Sequence, residues 1–212
     1  MGARGPYAKG KAKRAEILDV ALEVIARDGY SAATVKNLAD AAGLSQNGLL
    51  HYFGSKDALF AEILRHEDEV TAIETDADNR NFADDLVTGI LDAIETEITS
   101  PGMTQLALRV TGEATEPEHV AHDYLRNRYE TIRLLVRNAL IDLQTAGRVA
   151  ADVDADAVSA LVFASWDGLR TQWLYDNTID VRAHMVYLLR ALGVDAPVVA
   201  EATAQAVPSA PR

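Results

Sequence analysis

Apolar residues in this chain recur every three or four positions over long stretches, and glycine or proline stands between one stretch and the next. That spacing gathers them on one face of an α-helix, and no segment shows the sustained alternation of a half-buried strand. Ile17, Ala21, Val24 and Ile25 form one such stripe, closed by Gly29, which predicts a helix over about Lys11 to Asp28. Thr34 can cap a short second helix with Val35, Leu38 and Ala39 inward, and Ser45 can cap a third. Gly43 and Gly54 stop these two, and Ser55 can cap a fourth helix, to about Val70, carrying Leu59, Phe60, Ile63 and Leu64. Phe82, Leu86, Ile90 and Ile94 repeat every four residues, and Ser100 with Pro101 opens another helix. Pro117 is expected to open a long helix to about Ala146, and two more follow over about 155–175 and 181–192. The expected fold class is all-α.

With 212 residues and 49% apolar content, the chain can bury one large core or two smaller ones. No run of 18 apolar residues occurs, and the N-terminal MGARGPYAKGKAKRAE lacks the apolar centre of a secretory signal. No membrane association is therefore expected, and the cytoplasm is the expected compartment. The absence of cysteine excludes disulfides, cysteine nucleophiles and thiolate metal sites. A net charge of −12 would argue against a polyanionic partner, but the average hides an asymmetry. Residues 1–14 carry Arg4, Lys9, Lys11, Lys13 and Arg14 with no acid, and residues 1–57 together carry eight bases against six acids. The other 155 residues hold twelve bases and 26 acids. A basic front on an acidic body points to nucleic-acid contact by the front alone.

The stretch LSQNGLLHYFGSKDAL, from Leu44 to Leu59, accounts for that front. Leu49 and Phe53 share one helical face that can pack on the two preceding helices, and the opposite face presents Gln46, Asn47, Leu50 and His51, flanked by Tyr52 and Lys56. Two short helices joined at a glycine and braced by a longer one make a helix-turn-helix. Amides at the start of its second helix suit adenine edges, whereas Tyr, His and Lys suit phosphate oxygens. Gln46 and Asn47 are thus the expected base readers, with Lys36 as a third candidate for a guanine or a phosphate. His51, Tyr52, Lys56 and Ser45 are the expected phosphate contacts.

The segment GYSAATVKNLADAAGLSQNGLLHYFGSKDAL resembles the DNA-binding signature of the TetR family of bacterial regulators, and the likeness runs from about Ala12 to Leu64. It implies phosphate contacts for Thr34, Tyr52 and Lys56. Leu50 departs from the aromatic common at its place, and Asn47 from a small residue. The domains expected are a basic arm (1–14), a helix-turn-helix domain (15–58), an effector-binding and dimerisation domain (59–195) and a disordered tail (196–212) rich in alanine and proline. The resemblance also implies a homodimeric repressor on double-stranded, palindromic operator DNA, released by a small-molecule effector. A regulator of the same fold without a ligand, and a helical enzyme with an undetected site, are the alternatives.

In the body, inward positions give candidate effector contacts: Phe82, Leu86, Met103, Leu106, Tyr124, Phe163 and Trp166, with Arg109 as a polar anchor or a surface ion-pair partner. Ala160, Ala164 and Gly168 recur every four residues, so another helix could approach closely there, within the chain or across a dimer seam. Trp173, Met185 and Leu189 join them as candidate seam residues. His119, His122 and Asp123, with Glu116 and Glu118, lack the spacing of a strong zinc motif, and no metal is expected. No glycine-rich phosphate loop, GxSxG elbow or HExxH motif occurs, so neither a cofactor nor catalysis is expected.

Overall fold

The computed structural model describes residues 6–77 and 86–194, with side chains from 9 to 71 and from 86 onward. The described residues form nine α-helices and no strand: α1 Pro6–Asp28, α2 Val35–Ala41, α3 Gln46–Phe53, α4 Lys56–Ala77, α5 Leu86–Thr99, α6 Pro101–Glu113, α7 His122–Thr145, α8 Ala155–Tyr175 and α9 Val181–Ala191. The chain divides into two compact units, one from residues 1–80 and 99–128, the other from 81–98 and 129–212. The division falls inside α7, between Arg128 and Tyr129.

In the first unit Ile17, Ala21, Val24 and Ile25 of α1 lie in one core with Leu38, Leu49, Phe53, Leu59 and Ile63. Met103, Leu106 and Val110 of α6 belong to that core too, so the unit that carries α2 and α3 is larger than the segment 15–58. The close approach of α6 requires Gly102. A Cβ there would stand 2.6 Å from the carbonyl oxygen of Ile25 and 3.1 Å from the Cα of Gly29. In the second unit Leu86, Ile90, Leu91 and Ile94 of α5 pack with Val136, Ala139, Leu140 and Leu143 of α7 and with Val158, Val162, Trp173, Met185 and Leu189 of α8 and α9.

Three local expectations are corrected. α1 starts at Pro6, not Lys11, so Lys9 joins Lys11, Lys13 and Arg14 on the helix, and from Pro6 onward the basic segment is part of α1 rather than a separate arm. Ser100 precedes α6 but its hydroxyl caps nothing; its carbonyl accepts the Met103 and Thr104 N–H groups instead. Pro117 does not open α7. It is the second residue of the turn Glu116–His119, closed by His119 N–H to Glu116 O at 3.0 Å, a position for which the fixed φ of proline is equally suited. α7 begins five residues later, at His122. The candidates at Phe82, Arg4 and 196–212 lie outside the described residues.

Candidate nucleic-acid interface

Two hydroxyl caps and one glycine turn build the interface. Thr34 Oγ1 accepts the Asn37 N–H at 3.1 Å and starts α2; Ser45 Oγ accepts the Gly48 N–H at 3.0 Å and starts α3. Between them Gly43 has φ 67°, with Leu44 N–H bonded to Ala39 O at 2.8 Å and Gly43 N–H to Asp40 O at 3.1 Å. That pair of bonds is a Schellman closure, which needs a residue at home with positive φ. It turns the chain within four residues, so α3 lies against α2 with Leu49 fully buried and Phe53 nearly so.

Burial of Leu49 and Phe53 forces the other side of α3 outward. Gln46, Asn47 and His51 are exposed and Leu50 is half-buried, and Lys36 on α2 and Lys56 at the start of α4 are exposed as well. The side chains of Gln46, Asn47 and Lys36 take part in no hydrogen bond or ion pair among the described residues, so their polar groups remain available for a partner. Tyr52 is half-buried against the core with its ring edge-on to His51, at 6.3 Å between centroids. Lys56 lies 5.4 Å from the Phe60 ring. The hydroxyls of Thr34 and Ser45 accept their cap bonds and keep their own hydrogens to donate.

Arg14 is placed otherwise than the basic N-terminal segment suggests. Its guanidinium donates to the Tyr52 carbonyl at 3.0 Å, pairs with Glu62 at 2.8 Å and covers the Phe53 ring at 4.7 Å. Glu62 also binds Arg65, which sits 4.7 Å over the Tyr124 ring, and Tyr124 donates to Asp68 at 2.5 Å beside Arg128 at 2.9 Å. Burial and the Asp68 carboxylate together push the Tyr124 hydroxyl well above its ordinary pKa.

The other candidate residues are dispersed. Met103 and Leu106 are core residues of the first unit, and Leu86 of the second. Arg109 pairs with Glu113 at 2.9 Å and lies over the Tyr30 ring at 5.8 Å, the surface alternative for it. Phe163 meets Tyr129 edge-on at 4.8 Å, and Trp166 donates to Glu97 at 2.8 Å. These two aromatics border a polar cluster not expected from sequence. Arg170, 5% exposed, bonds Glu97 at 3.0 Å and pairs with Asp167 at 2.6 Å, while Tyr129 donates to Asp167 at 2.7 Å. Arg170 Nε is buried without a hydrogen-bond partner. Helical period places Arg170 on the face of Phe163 and Trp173, seven residues after the one and three before the other, but its charge alone suggests one more exposed base.

Of the candidate seam residues, Ala160, Ala164 and Gly168 are exposed along α8, and a Cβ on Gly168 would meet nothing within 4 Å among the described residues. Trp173, Met185 and Leu189 are corrected: they are buried within the second unit and have no surface to offer a partner. His119 Nδ1 accepts the Ala121 N–H at 3.2 Å and His122 Nδ1 pairs with Ala114 O at 2.9 Å, so both imidazoles engage backbone of the turns before and at the start of α7.

This geometry has clear counterparts. The family model described as bacterial regulatory proteins, tetR family, matches residues 17–63. The repressor AcnR of Corynebacterium jeikeium is 28% identical over 150 residues, 69% of this chain and 74% of that protein. Among solved structures, a TetR transcription regulator from Haloarcula marismortui superposes with a TM-score of 0.71 at 19% identity, over 86% of this chain and 97% of that one. The regulator FadR from Bacillus subtilis, solved with stearoyl-CoA, gives 0.63 at 18% identity, over 84% and 96%. With the helix-turn-helix formed by the very residues that the family model covers, residues 17–63 carry the DNA-binding domain of the tetR family of bacterial regulatory proteins.

Proposed function

We propose that the protein is a homodimeric transcriptional repressor of the cytoplasm that reads a palindromic operator through α3 and leaves it when a small molecule binds the second unit. The observation that carries the DNA half is the outward face of α3, where two uncharged amides without internal partners stand between Lys36, Ser45 and Lys56. A dimer presents two such faces, and both enter the major groove of one duplex when they lie about one turn, roughly 34–36 Å, apart. The dimer half is supported by the exposed small-residue strip Ala160, Ala164, Gly168 of α8, and by two exposed apolar side chains on the last two helices, Leu161 of α8 at 49% and Tyr187 of α9 at 77%.

The effector half is supported by the cluster of Phe163, Trp166, Tyr129, Glu97, Asp167 and Arg170, where aromatic rings pack around a few polar groups of fixed direction. The buried Arg170 Nε–H is a donor in want of an acceptor. A ligand shifts the equilibrium between DNA-competent and DNA-incompetent dimers only as far as it binds one better than the other. The structural neighbour FadR was solved in complex with stearoyl-CoA.

The test is selection from a random duplex library followed by a gel shift on the recovered duplex at fixed salt. A palindromic consensus, and loss of the shifted band with a compound whose binding is abolished by Arg170→Ala, are the expected results. Lys56→Ala should weaken binding to every duplex alike and lower the salt slope by about 0.9, as for one phosphate contact. Recovery of no consensus would refute specific DNA recognition.

A further inference from the structure

Arg14 belongs by sequence to the basic segment, where a phosphate contact is the natural expectation, yet its guanidinium is engaged inside the chain. We infer that Arg14 is a positioning residue for sequence recognition, one that holds the C-terminal end of the recognition helix rather than the DNA. This rests on the DNA-binding reading above.

The last carbonyls of any helix lack internal donors. In α3, which has eight residues, Leu50 O is taken by the Gly54 N–H at 2.7 Å, and Tyr52 O is taken by Arg14 Nη1 at 3.0 Å. A cation at a helix C-terminus also meets the negative end of the helix dipole. The same guanidinium lies over the ring of Phe53, the last residue of α3, at 4.7 Å, and its other nitrogen is held by Glu62 of α4 at 2.8 Å. One side chain of α1 therefore ties the end of α3 to α4 through three different interactions. Gln46 and Asn47 stand at the opposite end, about 9 Å along the axis at 1.5 Å per residue. A tilt of roughly 10° about the buried Leu49, which losing the tether at Tyr52 and Phe53 permits, would displace Gln46 by about 0.8 Å, more than the roughly 0.5 Å window of a hydrogen-bond distance. Nonspecific binding, which needs only charge near phosphates, would hardly feel that tilt.

The two readings of Arg14 predict opposite results. Affinities of wild type, Arg14→Ala and Glu62→Gln are measured across a salt series, on the duplex selected with wild type and on a scrambled duplex of equal length. Positioning predicts that Arg14→Ala loses about tenfold on the selected duplex, the scale of one charge-assisted hydrogen bond. The scrambled duplex should be bound as before, and the salt slope should not change. Glu62→Gln should lose severalfold on the selected duplex although it removes an acid and leaves Arg14 its charge. A phosphate contact predicts instead equal loss on both duplexes and a slope lower by about 0.9 for Arg14→Ala. It also predicts unchanged or tighter binding for Glu62→Gln. Either of those outcomes overturns the inference. Amide hydrogen exchange over residues 50–56 needs no DNA: it should quicken in both folded variants, and protection equal to wild type would also overturn it. If no duplex is selected with wild type, the DNA-binding reading fails and takes this inference with it.

Discussion

At the scale of single residues, the interface separates side chains that build it from side chains left over. Ser45 and Thr34 cap helices, Leu49 and Phe53 fill the core, and Gln46 and Asn47 have no internal duty. Changing either amide to alanine should therefore cost no stability. It should relax base preference at one position by about 1–3 kcal/mol, the worth of a bidentate amide contact to adenine. Selection with each variant and with Lys36→Ala checks this, and blurring only without Lys36 would move the reading function to α2. Tyr124 carries a different expectation. Its hydroxyl pKa is raised in the folded protein by burial and by Asp68. Its contribution to stability is therefore complete below the unfolded tyrosine value of about 10 and is lost as pH rises above it. Denaturation midpoints of wild type should fall between pH 9 and pH 11, and those of Tyr124→Phe should fall less.

At the scale of elements, the place of α6 follows from a missing side chain. Gly102 lets the first turn of α6 stand against Ile25 O and Gly29 Cα at distances no Cβ could share. Gly102→Ala must push the two helix ends apart and should lower stability by about 1–3 kcal/mol, as overpacked sites do. Gly112 lies on the same helix with nothing among the described residues within 4 Å of where a Cβ would stand. Gly112→Ala should raise stability by up to about 1 kcal/mol through helix propensity alone. Urea denaturation of both variants tests the pair, and equal effects would mean that the contact at Gly102 is relieved without cost. The turns after α6 show the same local logic. Pro117 fits both a first helical turn and the second place of a β-turn, so its sequence signal could not choose between them. The backbone bonds at Glu116, His119 and His122 show which was taken.

At the scale of the molecule, α8 has two faces with different fates. Val158, Val162 and Trp173 are buried in the second unit, while Ala160, Ala164 and Gly168 face out with Leu161. If the outward strip is the dimer seam, Ala164→Glu should convert the dimer to a 22.9 kDa monomer in sedimentation without loss of helical circular dichroism. Leu189→Ala, fully buried on α9, should instead lower stability by about 2–5 kcal/mol. A wild-type protein that sediments as monomer at micromolar concentration would refute the seam altogether.

The all-helical fold, the two short capped helices and the amide face of α3 were legible in the sequence, because each depends on contacts within a few residues. A stripe such as Ile17, Ala21, Val24, Ile25 permits only a helix with that face inward, and a hydroxyl at Thr34 or Ser45 acts on an N–H three positions on. Partners distant in the chain were not legible. Nothing local says that Arg14 meets the Tyr52 carbonyl 38 residues away, that Arg170 is buried against Glu97, or that Met185 and Leu189 face their own chain rather than a second one. A charged or apolar side chain on a helix looks alike in sequence whether it meets solvent, a neighbouring helix or another subunit. Only the packing of the helices, which brings distant carbonyls and carboxylates within bonding distance, decides among them.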